Sequence, residues 1–341
     1  MNPIISEDIK HFVYDFPYAD RLAGSTFLIT GSTGLIGSLL VRCLLSLRDD
    51  ICIIAPVRDL SKARDIFGVN DRIEFIECDL CKLDYTKSLS NIDYIVHAAA
   101  PTSSWFFVEN PVETSQSVLF PSLNLLDYCV GHRVKSVVYL SSLEVYGTCH
   151  DGIEKIEDSE SVTRSTDVRN SYPIAKMMVE NLCSSYALEY NVPVKIARLT
   201  QVTGPGISQN DNRVIASFTR LATFGNNIVL HTTGESARPY CYTMDAIRAI
   251  LYILLRGTNG EAYNVANSET YISARNLAEH IKALIAPEIE VKTEYRNDMG
   301  YAAETKLPLN NKKLQELGWI AKYNLDDIIV RLSQYLKSLA H

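Results

Sequence analysis

A series of short apolar runs that alternate with longer amphipathic stretches is the feature that most constrains the fold of this chain. The runs cover residues 26–30, 51–57, 73–77, 94–99, 136–141 and 194–199. They are rich in β-branched residues and apolar at consecutive positions, which is typical of strands buried on both faces. The alternation predicts the α/β class, with a doubly wound parallel sheet covered by helices on each side.

Charge and composition argue against several kinds of partner. A formal net charge of −7 disfavours broad contact with nucleic-acid phosphates, which requires a basic surface. No apolar run reaches the roughly 20 residues that span a bilayer, and the N-terminal sequence lacks the regions of a signal peptide. The eight cysteines lie mostly in apolar runs, as buried thiols do in a reducing compartment, and the close pair Cys78 and Cys81 lacks a second pair of metal ligands. We expect a cytoplasmic protein without a nucleic-acid partner, a membrane partner or a bound metal.

A glycine-rich turn follows the first apolar run directly and opens a helix. Gly31 permits a tight turn, Gly34 lets a pyrophosphate approach the backbone, and Gly37 lets the helix pack closely on the strand. The positive end of the helix then meets the phosphate charge. In this context the motif predicts a Rossmann-type dinucleotide-binding domain.

The end of the second run bears on the choice of dinucleotide. Sheets of this type usually place an acidic residue there to bind the ribose hydroxyls, but this chain has Val57 followed by Arg58. A guanidinium suits a 2′-phosphate, so NADP is favoured over NAD, although Asp59 keeps NAD possible. Further predicted cofactor contacts are Asp79 and Leu80 at the adenine, and Ala98, Ala99 and Ala100, whose small side chains leave room for the cofactor.

The sequence predicts two domains and an extension. Residues 1–24 precede the first run and are expected to form a helical N-terminal extension. Residues 25–200 and 241–268 are assigned to the dinucleotide-binding domain. Beyond Leu199 the sequence becomes rich in loops, so residues 201–240 and 269–341 are assigned to a smaller C-terminal α/β domain at the carboxyl edge of the sheet. The substrate should lie between the two.

Three residues carry the predicted chemistry. If residues 171–190 form a helix, Tyr172 and Lys176 share a face, because side chains four apart are neighbours. The ammonium, together with the positive nicotinamide, is expected to lower the pKa of the phenol so that it acts as a base. Ser142 ends the fifth run, at the edge where such sheets bind ligands. It can hydrogen-bond the sugar hydroxyl that Tyr172 deprotonates. The carbon that bears this hydroxyl, C4, is then free to transfer a hydride to the nicotinamide.

These motifs occur in an order that resembles a known family. The GxxGxxG, HAAA, SSxxVYG, YxxxK and R-L-x-x-V-x-G-P blocks, from about Thr26 to Trp319, resemble an extended short-chain dehydrogenase/reductase of the nucleotide-sugar epimerase/dehydratase family. The resemblance implies a catalytic triad of Ser142, Tyr172 and Lys176 and a nucleotide-sugar substrate. The implied cofactor contacts include Thr33, Leu35 and Ile36 as well as Tyr172 and Lys176, and the implied substrate contacts are Ser103, Gln201, Arg213 and Arg238, the last of these at the diphosphate.

The residues after Ser142 bear on the reaction. Dehydratases of the dTDP-glucose type carry an Asp-Glu pair there, whereas this chain has Leu143 and Glu144. Leucine cannot donate a proton, but Glu144 can remove the C5 proton once a C4 ketone has made it acidic. A single Glu here resembles GDP-mannose dehydratases and UDP-glucuronate decarboxylases. We therefore expect a 4,6-dehydratase or a decarboxylase acting through a 4-keto intermediate.

Three alternatives remain open. A 4-epimerase would return the hydride to the other face of the ketone, and an NADPH-dependent 4-keto-sugar reductase would suit Arg58. A dinucleotide-sensing protein without catalysis would use the same fold. The sequence also departs from the family pattern at Gln201, where Asn is usual, and around Gln116, where an Asn is missing. The apolar-faced helices predicted near 112–129 and 171–190 correspond in the family to a dimer interface, so a homodimer is expected.

Overall fold

The computed structural model describes residues 1–82, 86, 89, 91–101, 104–296 and 303–340. The strands are β1 (Thr26–Thr30), β2 (Cys52–Val57), β3 (Ile73–Glu77), β4 (Tyr94–His97), β5 (Ser136–Ser142), β6 (Val194–Leu199), β7 (Gln201–Thr203), β8 (Ile228–Leu230), β9 (Ala237–Tyr242), β10 (Ala262–Val265), β11 (Asn267–Ser273) and β12 (Val291–Thr293). The α-helices are α1 (Pro3–Asp15), α2 (Leu35–Leu47), α3 (Leu60–Phe67), α4 (Ser104–Glu109), α5 (Pro111–Gly131), α6 (Ser171–Tyr190), α7 (Val214–Thr223), α8 (Thr243–Arg256), α9 (Ala274–Ile285), α10 (Lys312–Glu316) and α11 (Leu325–Ser338). Among the described residues, no helix combines the length and the apolar character needed to cross a membrane.

The central sheet is parallel and places the predicted site residues along one edge. Its order in the described chain is β10-β6-β5-β4-β1-β2-β3. The strand order reverses beside β1, and ligands bind at such a switch point in open α/β sheets. The register sets Thr30 beside His97 and His97 beside Tyr139, so the carboxyl ends of β1, β4 and β5 are neighbours. The α/β fold with a doubly wound sheet is confirmed.

The strands are apolar at consecutive positions because helices cover both faces of the sheet. In β1, Phe27 and Ile29 pack into the core formed with α2 and α8. The intervening Leu28 packs on the opposite face, with residues of α5 and α6. Alternate side chains of one strand therefore enter different cores, which explains why its sequence lacks a polar face.

The second predicted domain contains two small sheets. One has the order β11-β9-β7 and the other pairs β12 with β8. The chain returns to the large sheet at β10, which pairs in parallel with β6. This division supports our proposal of two domains that meet at the carboxyl edge of the large sheet.

The N-terminal extension includes a helix that is tied to both predicted domains. Asn2 caps α1 by accepting a hydrogen bond from the backbone N–H of Ile4 at 3.0 Å. Asp8, which is buried, accepts hydrogen bonds from the Tyr242 hydroxyl and the Arg331 guanidinium, each at 2.6 Å. The extension is thus anchored to β9 and α11.

The fourth strand is two residues shorter than the run from which it was predicted. β4 ends at His97, and the backbone N–H of Ala99 donates to the Thr30 hydroxyl at 3.2 Å. Because that N–H bonds to a side chain, the backbone leaves the ladder at this point. The alanines after His97 form a loop at the sheet edge, beside the glycine-rich turn.

Candidate active site

The glycine-rich turn has the shape required to hold a dinucleotide. Gly31 has φ of +67°, and a Cβ there would lie 2.8 Å from the backbone of Ala98. A Cβ on Gly37 would lie 2.2 Å from the Gly31 carbonyl oxygen. Gly34 begins α2 without a side-chain cap, so the first N–H groups of the helix face outward. Since an uncapped helix N-terminus binds anions, the turn fits the pyrophosphate of a dinucleotide.

A buried histidine orders the loop that faces this turn. Ser122 donates to the Val118 carbonyl at 2.6 Å, so His97 Nε2, 3.0 Å from Ser122 Oγ, carries the hydrogen and donates to it. His97 Nδ1 then accepts from the Thr30 hydroxyl at 2.6 Å. Burial, assisted by the charge of Lys176, lowers the pKa of His97 to about 3. The ring is neutral and structural.

Arg58 lies at the end of β2 that faces the predicted adenine site. Burial raises the pKa of Cys81, and so does the adjacent Asp79. The charge of Arg58 opposes this rise. Arg58 is therefore close to Cys81, in the turn after β3. The Asp59 carboxylate accepts the N–H of Lys62 at 2.9 Å and caps α3. Val57 is buried, whereas Arg58 is exposed at the end of β2.

The other predicted cofactor contacts lie along the same edge. Asp79 accepts the N–H of Cys81 at 3.0 Å, and the Leu80 carbonyl accepts from Asn124 at 3.1 Å, so this turn is fixed. Thr33 in the glycine-rich turn, Leu35 and Ile36 in the first turn of α2, and Ala98, Ala99 and Ala100 after β4 are all partly exposed. Their exposure leaves them available for contact.

Ser142, Tyr172 and Lys176 converge where β5 ends and α6 begins. The Ser142 hydroxyl lies close enough to the Tyr172 phenol to lower its pKa. Lys176 Nζ donates to the Leu140 carbonyl at 2.7 Å and lies 5.6 Å from the centroid of the Tyr172 ring. Ser142 Oγ also accepts the N–H of Glu144 at 3.2 Å and so begins a short 3-10 helix, Leu143–Tyr146. The three groups share the edge of the sheet that carries the glycine-rich turn.

Burial shifts the charge states of this cluster. Burial and the charge of Glu144 raise the pKa of Tyr172, and the hydrogen bond with Ser142 opposes that rise. Burial lowers the pKa of Lys176 to about 7. Burial is the largest of these influences, so the protein alone favours the neutral phenol. A further positive charge, such as that of an oxidised nicotinamide, is needed.

Two aromatic residues that sequence reasoning missed hold this cluster. The ring of Phe107, on α4, stacks on Tyr172 with centroids 4.3 Å apart and planes 6° from parallel. The face of Tyr139 lies 4.6 Å from Lys176 Nζ, within the range of a cation–π contact. Phe107 has no periodic signal, and Tyr139 lies in the apolar run 136–141, where the sequence gives it no separate signal.

Glu144 faces a positively charged part of the cleft. Its side chain reaches solvent, yet desolvation by the surrounding protein raises the pKa of the carboxyl, and Arg238, Arg169 and Lys176 oppose this rise in that order. Arg238, on β9, is half-buried and lies opposite the 3-10 helix. Sequence reasoning identified Glu144 and Arg238 but missed Arg169.

The remaining predicted substrate contacts differ in how the protein uses them. Gln201 starts β7, and within the described residues its buried side-chain oxygen has no hydrogen-bond partner. Arg213 pairs with Asp211 at 2.6 Å and donates to the Val202 carbonyl at 2.6 Å, so much of its donor capacity is used within the protein. Ser103 lies outside the described residues. A ligand would satisfy the Gln201 oxygen, which is costly to leave unpaired.

A doubly wound sheet with Ser, Tyr and Lys meeting at its carboxyl edge is the arrangement of extended short-chain dehydrogenase/reductase enzymes. A family model described as the NAD dependent epimerase/dehydratase family matches residues 27–266, and the chain belongs to this family. The predicted resemblance is confirmed, and so is the prediction of an enzyme that depends on a nicotinamide dinucleotide.

Curated relatives include a decarboxylase and a dehydratase whose names give nucleotide-sugars as substrates. UDP-glucuronic acid decarboxylase 6 of Arabidopsis thaliana is 28% identical over 302 residues, which cover 87% of this chain and 84% of that protein. dTDP-D-glucose 4,6-dehydratase of Bos taurus is 26% identical over 330 residues, which cover 92% of this chain and 89% of that protein.

Solved structures share the fold at lower identity. The UDP-glucose 4-epimerase of Thermotoga maritima has a TM-score of 0.80 at 23% identity, covering 93% of this chain and all of that one. The UDP-glucuronic acid 4-epimerase of Bacillus cereus has a TM-score of 0.79 at 20% identity, covering 92% of this chain and 99% of that one.

Proposed function

We propose that this enzyme oxidises C4 of a nucleotide-sugar and then removes a group from C5 or C6 of the resulting ketone. The observation that carries the proposal is the convergence of Ser142, Tyr172 and Lys176 beside Glu144. The first three groups suit removal of a hydroxyl proton. The carboxylate adds a second base near the same site.

In the oxidation, Tyr172 takes the proton of the C4 hydroxyl while Ser142 hydrogen-bonds the same oxygen. Lys176 stabilises the phenolate by its charge. Phe107 restricts the plane of the Tyr172 ring by stacking on it. When bound, the nicotinamide supplies the hydride acceptor and returns the hydride later.

The second step is assigned to Glu144. A C4 ketone makes the C5 proton acidic, and a carboxylate whose pKa is raised by desolvation is a suitable base and, once protonated, an acid. Leu143 is buried in an apolar cluster, so it donates no proton to a C6 hydroxyl. Loss of carbon dioxide from a 4-keto uronate needs no such acid, because the electrons of the C5–C6 bond pass to the C4 ketone as an enolate, and Glu144 in its protonated form would then give a proton to C5. Decarboxylation therefore stands beside 4,6-dehydration as the leading pair.

The nucleotide end of the substrate is assigned to the small domain. Arg238 offers a guanidinium, which suits bidentate binding of a diphosphate. Gln201 offers a buried oxygen without a partner among the described residues. Arg213 and Ser103 remain candidate contacts. Together they would place the sugar over the triad.

NADP is proposed over NAD as the cofactor. Arg58 is exposed near the adenine turn, whereas the Asp59 carboxylate caps α3. Titration of the protein with each dinucleotide, followed by intrinsic fluorescence, should show tighter binding of NADP. Replacing Arg58 by Ala should weaken the binding of NADP and change the affinity for NAD by less than about twofold. Tighter binding of NAD by the wild type would contradict this assignment.

A homodimer and a cytoplasmic location are also proposed. Large apolar side chains on α5 and α6 are exposed, among them Val112, Phe120, Met178 and Leu188, and an exposed apolar patch suits association with a second copy. Light scattering should give twice the mass of the chain, and a monomer would contradict the proposal. The eight cysteines, all within the described chain, are free thiols, which suits a reducing compartment.

The decisive experiment incubates the protein with UDP-, dTDP-, GDP- and CDP-sugars, both neutral and uronate, and measures product masses. Loss of water identifies a dehydratase and loss of carbon dioxide a decarboxylase. Unchanged mass with a changed NMR spectrum identifies an epimerase, and stoichiometric consumption of NADPH a reductase. Binding without any product, in the wild type and Tyr172→Phe alike, would contradict catalysis and support a sensing protein.

A further inference from the structure

Glu180 lies one helical turn beyond Lys176 on α6, and the reaction described above gives it no role. The residue is buried, with 7% of its surface exposed. A carboxylate withdrawn from water is costly unless it is paired, so its position in the core points to a purpose.

Two neighbouring strands hold the Glu180 carboxylate. Arg198 on β6 places Nη2 2.7 Å from Oε2 and Nε 3.1 Å from each oxygen. The Ser141 hydroxyl on β5 donates to Oε1 at 2.5 Å. Although burial alone would lower the pKa of Arg198, its hydrogen bonds and ion pair with Glu180 raise it. These contacts fix the Glu180 carboxylate opposite the guanidinium.

The position of this carboxylate couples it to Lys176. Side chains four residues apart on a helix are neighbours. Burial lowers the pKa of Lys176, and the charge of Glu180 is the largest influence that raises it again. Lys176 donates to the Leu140 carbonyl while Glu180 accepts from Ser141, so successive residues of β5 contact successive turns of α6. Both contacts lie next to Ser142.

Other charged or titratable groups surround the same ammonium. They are Tyr172 and Cys183 on α6, Glu144 on the 3-10 helix, Tyr139 on β5 and His97 on β4. Cys183 is buried and its pKa is raised, His97 is neutral, and the pKa of Tyr139 is raised well above its ordinary value, each chiefly by burial. Among the described residues, Glu180 and Glu144 are the two carboxyl groups that act on Lys176, and Glu144 is the one that reaches solvent.

We infer that Glu180 is a positioning residue whose carboxylate, fixed by Arg198 and Ser141, keeps Lys176 in its charged form beside Tyr172. Its consequence for turnover rests on the proposed function. The effect of Glu180 on the charge of Lys176 does not rest on the proposed function, and it can be measured on the protein alone.

The direct test is an NMR titration of protein labelled at the lysine side chains. The Lys176 signal is assigned by its loss in Lys176→Met. Glu180→Gln keeps the shape of the side chain and should lower the titration midpoint of Lys176 by about one unit. Glu180→Asp retains the charge and should titrate close to wild type. An unchanged midpoint in Glu180→Gln would overturn the inference.

Two further variants separate the charge of Glu180 from its structural contacts. Glu180→Gln leaves Arg198 buried without a counter-charge, so Glu180→Gln/Arg198→Met removes both charges. The double variant should still show a lowered midpoint, and a return to the wild-type value would assign the effect to Arg198 instead. Ser141→Ala removes a hydrogen bond but no charge, and should shift the midpoint by less than about 0.3 unit.

A cavity beside the pair permits a rescue experiment. It has a volume of about 360 Å³ and is lined by Glu180, Arg198 and Tyr146 among others. In Glu180→Ala, added formate can occupy the space next to Arg198 and should raise the Lys176 midpoint towards the wild-type value. Neutral formamide should not. Equal effects of the two additives would contradict an electrostatic role.

Turnover provides the last readout. With a substrate found in the nucleotide-sugar panel, Glu180→Gln should lower kcat about tenfold or more while KM changes less than about twofold. A kcat equal to wild type would overturn the positioning role. If no nucleotide-sugar is converted, the proposed function fails, whereas the lysine titration still decides the inference about Glu180.

Discussion

The ring of Phe107 lies face to face with the phenol of Tyr172, with centroids 4.3 Å apart. The contact joins α4 to the first turn of α6 and adds to the burial that raises the pKa of Tyr172. The contact therefore both orients the Tyr172 ring and shields its hydroxyl from water.

Phe107→Ala should lower kcat about tenfold, because the Tyr172 ring loses the surface that fixes its plane. The variant should also lose about 3 kcal/mol of unfolding free energy, as expected when a buried aromatic side chain is removed. Phe107→Tyr is the matched control, since it keeps the stacked ring. Activity and urea unfolding of the three proteins test this, and full activity in Phe107→Ala would contradict it.

Sequence reasoning located the large sheet well because its signal is local. β1 and β3 occupy their predicted ranges, since strands covered on both faces are apolar throughout. β4 ends two residues before its predicted end, because the N–H of Ala99 donates to the Thr30 hydroxyl, 69 positions away in the chain. No local pattern records such a contact.

In the site, too, the residues brought together by local spacing were predictable and those brought together by tertiary packing were not. Tyr172 and Lys176 could be paired because helical spacing brings them together, and Ser142 because it ends a strand. Phe107 and Arg198 approach from other elements, so their contacts follow from tertiary packing alone. The raised pKa of Tyr172 was also beyond reach, because it comes chiefly from burial, which no single sequence reports.

The ring of Tyr139 should hold the Lys176 ammonium by its face. Tyr139→Leu should lower kcat several-fold because the cation–π contact is lost. Tyr139→Phe keeps the ring and removes a buried hydroxyl that has no hydrogen-bond partner among the described residues, so its melting temperature should equal or exceed that of the wild type. Equal activity of the Leu and Phe variants would remove the ring from this role.

Glycine substitutions should separate folding from cofactor binding. Gly37→Ala should destabilise the protein by about 1–3 kcal/mol, because its Cβ would lie 2.2 Å from the Gly31 carbonyl oxygen. Gly34→Ala meets protein atoms only at 3.3 Å, so it should fold normally and bind the dinucleotide about tenfold more weakly.

Gly131→Ala, where the added atom has no neighbour within 4 Å, is the control for both measurements. Thermal melts without and with NADP distinguish the two effects. Normal dinucleotide affinity in Gly34→Ala would show that the phosphates bind elsewhere.

His97 should make the protein sensitive to acid. Burial holds its pKa at about 3 in the folded state against an ordinary value of 6.5, so below pH 6.5 only the unfolded chain takes up the proton. Stability is therefore complete above pH 6.5 and is lost as the pH falls towards 3, with about 2 kcal/mol lost by pH 5.

Urea unfolding at pH 7 and pH 5 measures this loss. His97→Gln should lose less stability between the two values than the wild type, and the exposed His150→Gln should behave as the wild type does. An identical pH dependence for His97→Gln and the wild type would show that His97 is not the responsible group.

The most direct test of the account is the absorbance of reduced nicotinamide after the cofactor-loaded protein is mixed with the nucleotide-sugar that the panel identifies. The wild type should show a transient rise, because Tyr172 removes the C4 hydroxyl proton as the hydride leaves. Tyr172→Phe should bind both ligands and lose this signal, with turnover reduced by about 10²–10⁴-fold. A transient of wild-type size in Tyr172→Phe would contradict the proposed role of the triad.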